Sequence, residues 1–116
     1  MRDFRQYEVW KNAISFTTEV YKLTSVFPSS EKFGLTNQLQ RATVSIASNI
    51  AEGASRTSEK DFAHFLEISL GSSFEVETQL LRNLKYISEE EYMKSVNDLN
   101  VLQKQLNLFI NKIRKS

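Results

Sequence analysis

Hydrophobic positions recur at three- and four-residue steps in four separate stretches of the chain, the spacing of helices that each bury one face. In the first stretch, Val9, Trp10, Ala13, Phe16, Val20, Leu23 and Thr24 share a side and predict a helix over 7–26. Phe27-Pro28-Ser29-Ser30 ends it, because the residue before a proline is pushed out of the α region. The second helix is expected over 36–53, with Leu35, Leu39, Ala42, Ile46 and Ile50 as its apolar stripe. Thr36 is its expected N-cap and Gly53 its expected C-cap. Ser58 with Asp61 then opens a third helix over 58–87, carrying Phe62, Phe65, Leu66, Leu70, Val76, Leu80, Leu81, Leu84 and Ile87. Gly71 in its middle costs about 1 kcal/mol against alanine, which suggests close approach of another backbone there. Ser88 with Glu91 forms a second capping box and starts a fourth helix over 88–114. Tyr92, Val96, Leu99, Leu102, Leu106, Phe109 and Ile113 make its seam. Short connections force neighbouring helices to run antiparallel, so the pattern predicts an all-α, up-down four-helix bundle with 1–116 as one domain.

The second stretch carries more than its apolar stripe. Gln38, Arg41, Ser45, Asn49 and Glu52 fall within an arc of about 80° beside it. The set contains a cation, an anion, two amides and a hydroxyl, not the interchangeable Lys and Glu of a plain solvated face. Arg41 and Glu52 are about three turns apart, too far to pair directly within one helix. Each therefore needs a partner elsewhere, and Glu67, Glu75 and Glu77 of the third helix are the candidates for Arg41. The stripe reads first as a hydrogen-bond network inside the bundle or between its copies, with Glu75 as a further member. The alternative reading is an open pocket or ring lumen that engages a ligand.

Composition narrows the picture. Only 3 Gly and 1 Pro in 116 residues leave little punctuation for a β-rich fold. The absence of cysteine removes disulfides, thiolate metal sites and thiol nucleophiles. Charges at Arg2, Asp3, Arg5, Glu8 and Lys11 are unlike a signal peptide, and no apolar run reaches the ~20 residues of a membrane span. A cytoplasmic, non-membrane protein is expected. The net charge of +1 gives no strong overall pull toward polyanions, although every charge beyond Asp98 is positive.

Several stretches carry a family likeness. They are Val9-Trp10-Lys11, Phe27-Pro28 with Glu31, Leu35-Thr36, and Gln38 with Arg41-Ala42. They continue with Val44-Ser45-Ile46, Ser48-Asn49-Ile50-Ala51-Glu52-Gly53, Arg56, and Gly71-Ser72 with Glu75. Together they resemble the bacterial four helix bundle protein family, whose members were first noticed as products encoded within intervening sequences of 23S ribosomal RNA genes. The resemblance runs from about Tyr7 to Ile113. It implies a small ring-forming protein, a homopentamer by analogy, with no catalytic residue to carry over. A related group of retroelement accessory proteins binds nucleic acid and a reverse transcriptase through a basic surface; the near-neutral charge here departs from that pattern.

Candidate chemistry is sparse. His64 is the only histidine, and with Asp61, Glu67 or Glu75 it makes at most a loose carboxylate cluster, so no metal or cofactor is expected. Glu52 and Glu67 lack any hydrolase motif around them, and enzyme activity is not expected. Arg56, Lys60, Arg82, Lys85, Lys112, Arg114 and Lys115 are candidate phosphate contacts, or else ordinary solubilising charge. Trp10, Phe16 and Tyr21 read as core or interface rather than as base-stacking platforms. The expected role is a self-assembling scaffold or adaptor with RNA or DNA as a candidate partner; the alternative is a protein-binding module without nucleic acid.

Overall fold

Each of the four apolar stretches forms a helix in the computed structural model, which describes residues 2–115. They are α1 (Glu8–Thr24), α2 (Leu35–Ala54), α3 (Glu59–Arg82) and α4 (Glu89–Lys115), joined by short 3-10 turns at Ser29–Glu31 and Leu84–Tyr86. A further 3-10 turn, Phe4–Gln6, precedes α1. The helices pack in chain order around a closed square: α1 on α2, α2 on α3, α3 on α4, and α4 back on α1. The bundle measures 46 × 24 × 20 Å. Its centre is filled by Phe16 and Val20 of α1, Leu39, Ile46 and Ile50 of α2, Phe62, Leu66, Val76 and Leu80 of α3, and Leu99, Leu102 and Leu106 of α4. These are the positions that the helical periodicity marks out.

Aromatic rings close both ends. Tyr7 stacks on Phe62 and meets Phe109 edge-on, tying the start of α1 to α3 and α4. At the far end Phe27 lies against Tyr86, whose hydroxyl donates to Glu31 Oε2 at 2.9 Å. The Ser88–Glu91 capping box forms in full, and at Ser58 the hydroxyl half of the other forms. The Asp61 N–H donates to Ser58 Oγ, and Ser88 and Glu91 exchange bonds of 2.9 and 3.0 Å.

Five local expectations differ from the structure. Helix α2 begins one residue early, behind Gly34, so Thr36 lies inside it and not at its cap. Gly53 does not terminate α2 either: it is buried within the helix, which runs on to Ala54 and is capped by Ser55. A Cβ at Gly53 would lie 2.7 Å from Cβ of Phe65, so the glycine is there for the close approach of α3. The close approach expected at Gly71 is absent, with nothing within 4 Å of a Cβ built there. Finally, α3 stops at Arg82 rather than continuing to 87. Asn83 turns the chain by donating its side-chain amide to the Gln79 carbonyl at 2.7 Å, which leaves Leu84 in the following turn 45% exposed. Helix α1 likewise ends at Thr24, two residues short of the expected 26.

Candidate assembly surface

The polar stripe of α2 divides into satisfied and unsatisfied members. At its centre, Ser45 Oγ and Ser72 Oγ of α3 lie 2.8 Å apart, and Asn49 donates to both the carbonyl and the hydroxyl of Ser45 at 2.8 Å. This half-buried link is reinforced beneath by Ser69, whose hydroxyl donates to the Ile46 carbonyl at 2.8 Å. Small side chains let α2 and α3 approach closely enough for these bonds. At one end of the stripe, Gln38 Oε1 accepts from Arg82 at 3.0 Å; at the other, Glu52 accepts from Arg56 at 2.7 Å. The guanidinium of Arg56 also covers the ring of Phe65.

Arg41 and Glu75 are different. Both are exposed, and neither makes an ion pair or side-chain hydrogen bond among the described residues. None of the three carboxylates expected to meet Arg41 does so. Glu67 is held by Arg114 through two bonds of 3.0 and 2.6 Å, and Glu77 accepts from Gln103 of α4. The side-chain hydrogen bond from Arg114 lowers the Glu67 pKa and raises that of Arg114. Arg41 sits about 40° around α2 from Ser45, and Glu75 about 60° around α3 from Ser72. The two unpaired charges thus stand on the same outer rim of the α2–α3 seam.

Two groups of exposed apolar side chains flank the bundle. On α1, Ile14 is 41% and Tyr21 45% exposed, and they lie about 20° apart on the helix. Val44 of α2 is 39% exposed. Thr24, whose hydroxyl accepts from Gln40 of α2, is about 60° from Tyr21. Asn12, which donates to Gln105 of α4, is on the opposite side of α1. Ile14, Tyr21 and Val44 therefore belong to the α1–α2 side. On α3, Phe74 is 50% and Leu81 52% exposed, again about 20° apart. They neighbour Glu77, which faces α4, and point away from Ser72, which faces α2. With the half-exposed Met93 of α4 they define the α3–α4 side. In the square these two sides are opposite.

The seven candidate phosphate contacts do not form one surface on a single chain. Arg82 and Lys85 lie at the end of α3, while Arg56, Lys60, Lys112, Arg114 and Lys115 lie at the opposite end, about 36 Å away along the helix. Arg56, Arg82 and Arg114 are engaged within the chain, and Lys85 covers the Tyr86 ring. Lys60, Lys112 and Lys115 make no ion pair among the described residues. His64 is exposed and meets Phe65 edge-on; among the described residues no group of three His, Asp or Glu is placed to hold a metal. Among the described residues no helix is long and apolar enough to cross a membrane.

Sequence reasoning missed Arg2. Its guanidinium lies over Phe62 and bonds both the Arg56 carbonyl and Glu59, clasping the N-terminal arm to the α2–α3 loop. Nothing in the local pattern marks such a contact, because it spans more than fifty residues.

The family model for the 23S rRNA-intervening sequence protein matches residues 5–108. The chain belongs to that family. Its fold is shared with a crystal structure of a protein of unknown function from the S23 ribosomal protein family of Bacteroides thetaiotaomicron. That structure is 28% identical, with a TM-score of 0.82, over 89% of this chain and 95% of the other. Comparison with curated proteins gives no match. Membership accounts for the four-helix fold and leaves the biochemical role to be argued from the surface.

Proposed function

We propose that this member of the 23S rRNA-intervening sequence protein family is a non-enzymatic, self-assembling helical scaffold or adaptor. The observation that carries the reading is the grouping of exposed apolar side chains. The core is already filled, yet twelve large apolar side chains stay exposed among the described residues, with Ile14, Tyr21 and Val44 on one side and Phe74, Leu81 and Met93 on another. Scattered surface hydrophobics need no explanation, whereas grouped ones mark surfaces that other molecules cover. The unpaired Arg41 and Glu75 stand on the outer rim of the α2–α3 seam, between those two sides. A ring, with a homopentamer as the specific form, fits this arrangement.

Light scattering tests the reading directly. The wild-type chain is expected to run as a multiple of 13.4 kDa at micromolar concentration, and a strict monomer at all concentrations refutes it. Arg41→Ala is expected to weaken assembly more than Lys112→Ala does; equal solution masses and thermal shifts for the two would remove Arg41 from the contact.

A nucleic-acid partner is supported by Lys60, Lys112 and Lys115, which share one end of the bundle without ion-pair partners among the described residues. Assembly would multiply that weak patch by the number of copies. A protein partner in the same adaptor role is the alternative, and salt-titrated binding to structured RNA and duplex DNA separates the two.

A further inference from the structure

A cleft of about 480 Å³ opens between the start of α1 and the late turns of α4, on a side of the bundle that neither apolar group occupies. Its volume lies within the roughly 300–1,000 Å³ of ligand sites. Val9 is buried beneath it, Tyr7 and Phe109 meet edge-on at 5.0 Å, and Leu108 stands 71% exposed at its lip. Neither the filled core nor the two grouped sides account for a leucine so exposed in mid-helix. Three polar side chains line the same cleft, and each has one kind of contact left to make. Lys112 has no ion-pair partner among the described residues, and Glu8 on the facing wall is taken by Lys11 at 3.8 Å. The other carboxylate oxygen of Glu8 remains free to accept. The Gln105 side-chain oxygen accepts from Asn12 at 3.0 Å, which leaves its amide hydrogens to donate. In the clefts beside Arg2 and beside Lys94, by contrast, these cations already pair with Glu59 and Asp98.

The spacing selects the shape of the ligand. Gln105, Leu108 and Lys112 share one face of α4, and Gln105 and Lys112 are about 10.5 Å apart along it. An extended chain rises about 3.3 Å per residue, so three residues span the two. We infer that the cleft takes the C-terminal end of another polypeptide, with its carboxylate on Lys112 and apolar last side chains over Leu108 and Phe109. Three residues back, a peptide carbonyl accepts from Gln105, while Glu8 accepts a peptide N–H on the α1 wall. A free amino acid is too short to reach both Gln105 and Lys112, and a fatty acid has no N–H for Glu8. The role of this contact rests on the adaptor reading. The cleft itself is built by one chain, so binding and assembly fail separately.

Fluorescence anisotropy of dye-labelled alanyl-leucyl-phenylalanine, titrated with the whole chain, is the test. The free-acid peptide is expected to bind, and its C-terminal amide to bind at least about tenfold more weakly, having lost a charge-assisted bond. Lys112→Gln should weaken the acid peptide by the same factor, while Lys104→Gln, on α4 outside the cleft, keeps the wild-type affinity. Both lysines are exposed, and circular dichroism confirms that each variant folds. Free phenylalanine should displace the peptide at least about tenfold less well than the unlabelled tripeptide. Equal binding of acid and amide, or an unchanged affinity in Lys112→Gln, would overturn the carboxylate contact. Equal displacement by phenylalanine would overturn the chain-end assignment, and no binding up to about 1 mM would overturn the site as a whole. Light scattering on the same samples separates the readings: a monomer that binds the peptide removes assembly alone, and an assembled chain that does not bind removes the cleft alone.

Discussion

Two glycines show how the same residue serves different ends. Gly53 is enclosed, and any Cβ there meets Phe65 Cβ at 2.7 Å and Phe62 Cδ1 at 3.1 Å. Gly53→Ala must push α3 away from α2, so it is expected to destabilise the chain by about 1–3 kcal/mol in denaturant unfolding. Gly71 has open space around it, so Gly71→Ala should stabilise the folded chain by about 0.5–1 kcal/mol through the lower backbone entropy of the unfolded state. Opposite signs are the expected result; a loss of similar size at both positions would contradict the geometry. Neither role was legible in the sequence. A glycine near the end of an apolar stripe looks like a cap, and one in mid-helix looks like a crossing point. Only the position of the neighbouring helix separates the cases. Arg41 was misjudged for a related reason. The rule that a charge needs a partner holds when the charge is covered, and Arg41 stays in water on the single chain.

At the scale of elements, starts were easier to read than ends. A capping box is local chemistry within four residues, and both Ser58–Asp61 and Ser88–Glu91 cap where the sequence placed them. Ser88→Ala should accordingly cost about 1 kcal/mol and lower the thermal midpoint. The end of α3 depends instead on Asn83, which is fully buried and bonds back to Gln79, so the apolar run through Leu84 and Ile87 does not prolong the helix. Helices α3 and α4 are also tied by Glu67 and Arg114, and this tie depends on pH. The hydrogen bond from Arg114 holds the Glu67 pKa below its ordinary 4.5, so the folded state favours the ionised carboxylate. The stabilisation is present above pH 4.5 and is lost as the pH falls through the lowered folded value. Both side chains are about half exposed, so solvent screening keeps the effect small. Chemical unfolding of Glu67→Gln against wild type should show a small deficit at pH 7 that closes in acid. A deficit that persists unchanged well below pH 4.5 would assign the loss to packing instead of charge.

For the molecule as a whole, the bundle's length decides what a polyanion can touch. Four up-down helices put Lys60 beside the end of α4, near Lys112 and Lys115, and carry Arg82 and Lys85 to the opposite end. The helical periodicity made this architecture legible, but it could not show which cations were already engaged. That depends on side-chain partners from other helices, such as Glu67 for Arg114 and Gln38 for Arg82. A single chain therefore offers three lysines at one end, offset by neighbouring Glu59 and Asp61, and such a patch binds nucleic acid weakly. Assembly changes this, because each added copy contributes the same three charges to a linked surface and makes later contacts intramolecular. Binding to structured RNA at low salt should therefore depend on assembly: Ile14→Glu, which alters none of the cations, is expected to bind at least about tenfold more weakly than wild type. The triple variant Lys60→Glu, Lys112→Glu, Lys115→Glu should keep the wild-type solution mass and lose the salt-dependent part of the affinity. Equal affinity for wild type and Ile14→Glu would show that the single chain suffices, and no binding by the assembled wild type would leave the protein-adaptor alternative in place.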